Sequence, residues 1–227
     1  MTQYGVDMAA ESKSRLYDQF ALVGKALSNG RRAELIDVLA QGERSVEALA
    51  EQIDQSVANT SQHLQVLARS GLVSSHRDGN RVLYRLAGEE VESLWETLRA
   101  VAAEHLAGVH QAADAYLGDR DELEQVSREE LVGRLGKDVV VWDVRPTAEF
   151  ESGHVPGAVP VPPDEVQRRL DDTPDGVEVV AYCRGPYCVF ADEAVRALSA
   201  RGRRAMRLEG GFPEWRRAGL PVAVGSA

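Results

Sequence analysis

Cysteine is scarce in this chain. Only two of its 227 residues are Cys, at positions 183 and 188, which excludes the disulfide framework of a small secreted scaffold. Lysine is scarce as well: of 26 basic residues, 23 are Arg and three are Lys, so the abundance of Arg by itself carries little information. No apolar run approaches the roughly 20 residues that span a bilayer, and no N-terminal apolar stretch has the length of a signal peptide. These absences predict a cytoplasmic, reducing location and no membrane partner. Internal repeats and low-complexity tracts are missing too. A net charge of −10 argues against non-specific nucleic-acid binding by the chain as a whole, while leaving room for a local basic face. The length suits two domains of ordinary size.

The first module, residues 11–118, reads as mostly helical. Leu16, Phe20, Val23 and Leu27 keep the spacing of one helix face. Asn29-Gly30 breaks it, and a second helix over residues 31–40 turns Leu35, Ile36 and Leu39 inward. Ser45 is a good N-cap for a short helix over residues 46–52. A turn at residues 53–55 leads to a fourth helix over residues 57–70, closed by Gly71. Residues 72–86 then read as two strands around Asp78-Gly79-Asn80, a hairpin signal. Two helices joined by a short turn and followed by a hairpin form a winged helix-turn-helix. Residues 89–116 keep helical apolar spacing for about seven turns, through Val91, Leu94, Trp95, Leu98, Val101, Leu106, Val109 and Ala113.

The segment from Ser45 to Leu86, SVEALAEQIDQSVANTSQHLQVLARSGLVSSHRDGNRVLYRL, resembles the ArsR family of bacterial repressors. The resemblance implies a double-stranded DNA operator as partner, and a homodimer formed through the first helix and the helix over residues 89–116. On the recognition helix the polar residues Ser56, Asn59, Thr60, Gln62, His63 and Gln65 suit base edges and phosphates. The wing offers His76, Arg77, Asn80 and Arg81. Between residues 55 and 87 four Arg face one Asp, a local balance of +3 in an acidic chain. A solvated polar face on a protein-interaction domain is the alternative. Many ArsR proteins sense metals, but residues 45–53 hold no Cys. His105 and His110 fall on different helix faces, so although His110 and Asp114 lie one turn apart, no metal site is expected.

Residues 119–126, which include Asp119, Arg120, Asp121 and Glu122, read as a charged linker. A second module over residues 127–223 opens with the capping pattern Ser127-Arg128-Glu129-Glu130. Strand-like runs at 139–144, 158–161, 177–182 and 205–208 alternate with helical stretches, the pattern of a parallel α/β sheet. Between the third of these strands and the helix that follows lies Cys183-Arg184-Gly185-Pro186-Tyr187-Cys188. A loop from a strand to a helix N-terminus directs backbone N–H groups and the positive end of the helix dipole at the cysteine sulfur, favouring a thiolate or an anion. Arg184 adds charge beside it. A buried structural Cys, or a disulfide between Cys183 and Cys188, is the alternative.

Together with DVRPTAEFESGHVPGA at 143–158 and EGGFPEWRRAG at 209–219, this loop resembles the rhodanese family, sulfurtransferases that carry sulfur as a cysteine persulfide. The resemblance implies Cys183 as the catalytic residue and no cofactor. Arg184, Gly185, Pro186 and Tyr187 would form the anion-binding loop. Asp143, Arg145, His154, Gly210, Gly211, Phe212 and Trp215 would be scaffold. The related phosphatases place an Arg after a Cys and five residues; Val189 stands there, so the anion clamp for phosphate chemistry is missing. Cys188, an unusual end to the loop, is a candidate resolving thiol. The expected molecule is a mostly α winged helix-turn-helix domain followed by an α/β rhodanese-like domain. Two functions remain open: a regulator whose Cys183–Cys188 pair responds to a small sulfur species or an oxidant, and a working sulfurtransferase fused to its operon's regulator.

Overall fold

The computed structural model describes residues 3–120, 122–174 and 176–225. Two compact units are present, residues 1–101 and 102–227.

The first unit begins with helix α1 (Gln3–Leu27). Ala26 is buried and Val23 and Leu27 pack on the core, whereas Leu16 and Phe20, on the same face, are 51% and 62% exposed. Asn29 caps α2 (Gly30–Leu39) by accepting from Arg32 N at 3.2 Å. Strand β1 (Arg44–Ser45) leads into α3 (Val46–Gln52), where the Ser45 hydroxyl accepts from Ala48 N at 3.3 Å, an N-cap bond. Helix α4 (Val57–Arg69) ends before Gly71, whose φ of 71° suits the left-handed position past a helix end. Strands β2 (Val73–Asp78) and β3 (Arg81–Leu86) form the hairpin, with Gly79 at φ 57° in its turn. The sheet order is β1-β3-β2, antiparallel throughout. Leu49, Ile53, Leu64 and Leu67 form the core under the helix-turn-helix, joined by Leu35, Ile36 and Leu39.

Helix α5 (Glu89–His105) crosses the division between the units. Its Trp95 donates from Nε1 to Asp37 Oδ1 at 2.7 Å, and Arg99 donates to the same oxygen at 3.1 Å. The single helix expected over residues 89–116 is in fact two. Leu106 is extended (φ −112°, ψ 102°), and α6 (Ala107–Leu117) starts after it. Gly108, about 1 kcal/mol poorer than Ala in a helix, lies at this break. Leu106 itself is 57% exposed, so little packing offsets the weakness.

In the second unit, strand β4 (Gln125–Val126) is followed by α7 (Arg128–Arg134), β5 (Val139–Asp143), α8 (Thr147–Ser152) and β6 (Val159–Pro160). A 3₁₀ turn (Pro163–Glu165) precedes α9 (Val166–Asp172), β7 (Glu178–Tyr182), α10 (Val189–Ala200), β8 (Ala205–Leu208) and α11 (Phe212–Arg217). The sheet is parallel throughout, in the order β4-β8-β7-β5-β6. Alternation along central β7 sends Val179 and Ala181 into one core with α9 and α10, and Val180 and Tyr182 into the other with Phe150 and Trp215. The stretch expected to be a linker, residues 119–126, falls within this unit. β4 pairs with β8 at the sheet edge and Leu123 packs on the core, while Asp121 lies outside the described residues.

Candidate functional site

The six-residue loop from Cys183 to Cys188 leaves the C-terminal end of β7, where open α/β sheets place their sites, and ends as the N-cap of α10. Cys183 and Cys188 form a disulfide, with their Cα atoms 6.2 Å apart. Cys183 continues the β7 alternation into the core and is 1% exposed; Cys188 is half-buried. Gly185 takes φ 155°, open to glycine and strained for other residues, and its carbonyl accepts from Cys188 N at 3.3 Å. Tyr187 stands at the rim, 36% exposed.

The GGF motif acts as the seat of this loop. Phe212 N donates to Cys183 O at 2.9 Å. A Cβ on Gly211 would lie 2.5 Å from Cys183 O and 2.7 Å from the Arg184 carbonyl carbon, and closer still to Gly185 N. Only glycine leaves space for the loop backbone there. Beneath it, Asp143 and Arg145 form a buried pair. Arg145 Nη2 reaches Asp143 Oδ2 at 2.5 Å and Gly153 O at 2.7 Å, and the guanidinium lies over the Phe212 ring at 4.1 Å. Burial draws the Arg145 pKa down, but the hydrogen bonds and charge of Asp143 outweigh it and leave the group raised. Tyr182 donates to Asp143 Oδ2 at 2.5 Å and accepts from Val155 N at 3.1 Å. Burial, and after it the Asp143 charge, push the phenol well above its ordinary 10.0, so it remains a donor. His154 stacks on Phe150 and its Nδ1 sits 2.9 Å from Phe150 O. Asp143, Arg145 and His154 are thus each engaged in buried contacts within this unit.

Arg184 departs from its expected role. Its guanidinium is committed to the buried carboxylate of Glu149, with Nε 3.0 Å and Nη2 2.5 Å from Oε1. Its charge is countered there by Glu149. A different arginine reaches the loop. Arg120 Nη1 donates to Pro186 O at 2.7 Å and Nη2 to Cys188 O at 3.4 Å, while Nε bonds Asp192 in the first turn of α10. Arg207 completes this cluster 3.5 Å from Asp192; burial, and after it the Arg120 charge, lower its pKa. Glu149 lies inside the DVRPTAEF motif and was open to discovery there, but no sequence signal points from Arg120 to the loop.

On the winged-helix unit, Asn59, Gln62 and Gln65 are exposed along one side of α4, and His63 is half-buried. Ser56 is exposed and caps the helix, accepting from Asn59 N at 3.3 Å. Thr60 must be removed from the candidate contacts. It is fully buried, because it shares the inward face with Leu64 and Leu67 at helical spacing. Arg77, Asn80 and Arg81 are exposed around the hairpin turn, and His76 pairs with Glu43 at 3.2 Å. Among the described residues there is no helix long and apolar enough to cross a membrane, and no group of three or more His, Cys, Asp or Glu that could hold a metal ion.

Comparison with known proteins divides the chain in the same way. A rhodanese-like domain model matches residues 127–218, and a helix-turn-helix domain model matches residues 27–76. The HTH-type transcriptional regulator Rv0324 of Mycobacterium tuberculosis is 46% identical over 222 residues, covering 96% of this chain and 97% of that protein. A sulfurtransferase of Allochromatium vinosum is 32% identical over 103 residues, 44% of this chain and 94% of that one. Among solved structures, the homodimeric winged helix-turn-helix DNA-binding domain (fragment 1–100) of Mb0332 from Mycobacterium bovis is 49% identical. It covers 42% of this chain and 89% of that fragment, with a TM-score of 0.41.

Proposed function

Since the chain belongs to the family of regulators that join an ArsR-type winged helix-turn-helix domain to a rhodanese-like domain, we propose that it is a dimeric DNA-binding repressor whose Cys183–Cys188 pair reports sulfur or oxidant state to the operator. The observation that carries this reading is the disulfide inside the rhodanese-type loop. A second thiol five residues from the first turns a persulfide carrier into a two-state couple.

The chemistry closes without a cofactor. The Cys183 thiolate attacks a sulfane sulfur of a hydrogen polysulfide; the donor's S–S bond breaks, and the shortened polysulfide leaves with the electron pair. Cys188, losing its proton to solvent, then attacks Cys183 Sγ. The bond to the outer sulfur breaks and hydrosulfide departs, so one sulfane sulfur is reduced and two thiols are oxidised to a disulfide. In the disulfide form Cys183 has no thiolate, so that form takes no further sulfane sulfur until it is reduced. Such closure suits a signal better than continuous turnover.

The DNA side rests on the exposed face of Asn59, Gln62 and Gln65 with Arg77, Asn80 and Arg81 on the wing. Leu16 and Phe20 on α1, and Leu98 and Val101 on α5 (39% and 53% exposed), leave apolar surface for a second copy of the chain. Mass spectrometry of the purified protein after sulfide, polysulfide, thiosulfate or peroxide tests the couple. Polysulfide should give the Cys183–Cys188 disulfide, and Cys188→Ser should stop at a persulfide on Cys183. A wild-type protein that accumulates a stable persulfide and passes it to cyanide repeatedly would favour the sulfurtransferase reading.

A further inference from the structure

Arg120 is separated in sequence from Pro186 by 66 residues and from Cys188 by 68, yet donates to both of their carbonyls. Its third contact, with Asp192, ties it to the first turn of α10; Asp192 is 1% exposed and shared with Arg207. Nothing in the loop's own sequence requires this arginine. Its fork of donors matches two carbonyls and a carboxylate at once, a geometry that Lys cannot reproduce. The segment that carries it is itself fastened: Arg196, on α10, donates to Leu117 O at 3.2 Å and Asp119 O at 2.6 Å. The chain leaving α6 is therefore held to the helix that the second cysteine caps.

We propose that Arg120 is a positioning residue for the Cys183–Cys188 couple, gripping the C-terminal half of the loop in the shape that holds the two sulfurs together. The inference rests on the reading of that pair as a thiol–disulfide couple. Reduction removes the covalent tie between the sulfurs and lets the loop relax from this shape, whereas the contacts of Arg120 hold the backbone of Pro186 and Cys188 where the disulfide closes, so the grip favours the oxidised form. Because Arg120 follows α6 by three residues, the same contacts give the state of the loop a direct connection to the end of that helix.

The test equilibrates full-length wild type, Arg120→Gln and Arg120→Lys with buffers of reduced and oxidised dithiothreitol. The fraction of loop disulfide is read by mass spectrometry after acid quench and alkylation. In each equilibrium the reagent dithiol gives two electrons and two protons to the loop disulfide and becomes a cyclic disulfide. Arg120→Gln should move the equilibrium about tenfold toward the dithiol, about 30 mV for a two-electron couple. Arg120→Lys, which keeps the charge but not the fork, should move it in the same direction by about threefold. An unchanged midpoint in Arg120→Gln overturns the proposal, as does full rescue by Lys. If Arg120→Gln fails to fold, the Lys midpoint decides alone. A wild type whose cysteines do not pair under oxidised dithiothreitol overturns the couple itself, whereas a wild type that titrates beside variants that titrate identically overturns only the role of Arg120.

Discussion

In residues 1–101 the polar side chains of interest stand outside, and in residues 102–227 they stand inside. Asn59, Gln62 and Gln65 on α4 and Arg77 and Arg81 on the wing are exposed. Asp143, Arg145, Glu149 and Asp192, by contrast, are all at 1% exposure or less. Under the proposed function, the difference follows from what each surface has to meet. A DNA-reading face keeps its donors and acceptors for bases and phosphates that arrive from solution. A sulfur-bearing loop has to be held in one shape before any partner arrives, so its charges are consumed by carbonyls and carboxylates of the same chain. Exposed polarity in the first unit is therefore read as binding, and buried polarity in the second as architecture.

Breaking the buried set should have the largest effect. Arg145→Ala leaves the Asp143 carboxylate buried without its partner, at a cost of about 3–5 kcal/mol. Differential scanning calorimetry of the full-length variant should show the unfolding transition of the second unit lowered, with that of the first unit unchanged. Next comes Gly211→Ala, where the added Cβ meets the loop backbone; the loop must shift, and disulfide formation under oxidised dithiothreitol should fall sharply while the first unit stays folded.

Tyr182→Phe should cost about 1–3 kcal/mol, because the Val155 N–H is left buried without an acceptor. It also tests a pH dependence. The folded phenol titrates above its unfolded value of 10.0, so its contribution is fully present below pH 10 and is lost as pH rises from there toward the folded value. Alkaline destabilisation of the wild type above pH 10 should be shallower in the Phe variant, as measured by urea unfolding across pH. A wild-type profile that Phe leaves unchanged would show that the buried phenol is not the group responsible.

The exposed set should respond more mildly and through DNA alone. Asn59→Ala or Gln62→Ala should cost about 1–3 kcal/mol at a specific site if the contact is bidentate. Arg77→Ala or Arg81→Ala should weaken binding to all sequences and flatten the salt slope by about one. Thr60→Val marks the boundary of the comparison. Its hydroxyl is buried and has no hydrogen-bond partner among the described residues, so DNA affinity and stability should both stay within about 1 kcal/mol. A large loss of DNA affinity with Thr60→Val would return that residue to the recognition face.

The sequence discloses what depends on local spacing. The Ser45 cap, the helix closed before Gly71, the turn at Gly79 and the β7-loop-α10 passage were all legible, because each is written in a few neighbouring residues. Thr60 was misjudged because polarity alone was counted, although its spacing to Leu64 and Leu67 placed it inward. Strands β1 and β4 are two residues long, too short to show alternation, and exist through pairing with β3 and β8. The interruption at Leu106 was hidden by an apolar stripe that continues across it. Arg120 was illegible for a different reason: a contact spanning more than sixty residues leaves no periodic trace, and a linker-like composition suggested solvent.

In the proposed function the state of the loop reaches the operator. The most direct test is the affinity of full-length protein for its own promoter DNA, measured for the reduced and Cys183–Cys188 disulfide forms at one fixed salt concentration. A difference of about 5- to 150-fold is expected, the usual scale of coupling between two sites, and the oxidant that forms the disulfide should leave the affinity of Cys188→Ser unchanged. Equal affinities for the two forms would contradict the proposal and leave a rhodanese-like domain that shares a chain with a DNA-binding domain without instructing it.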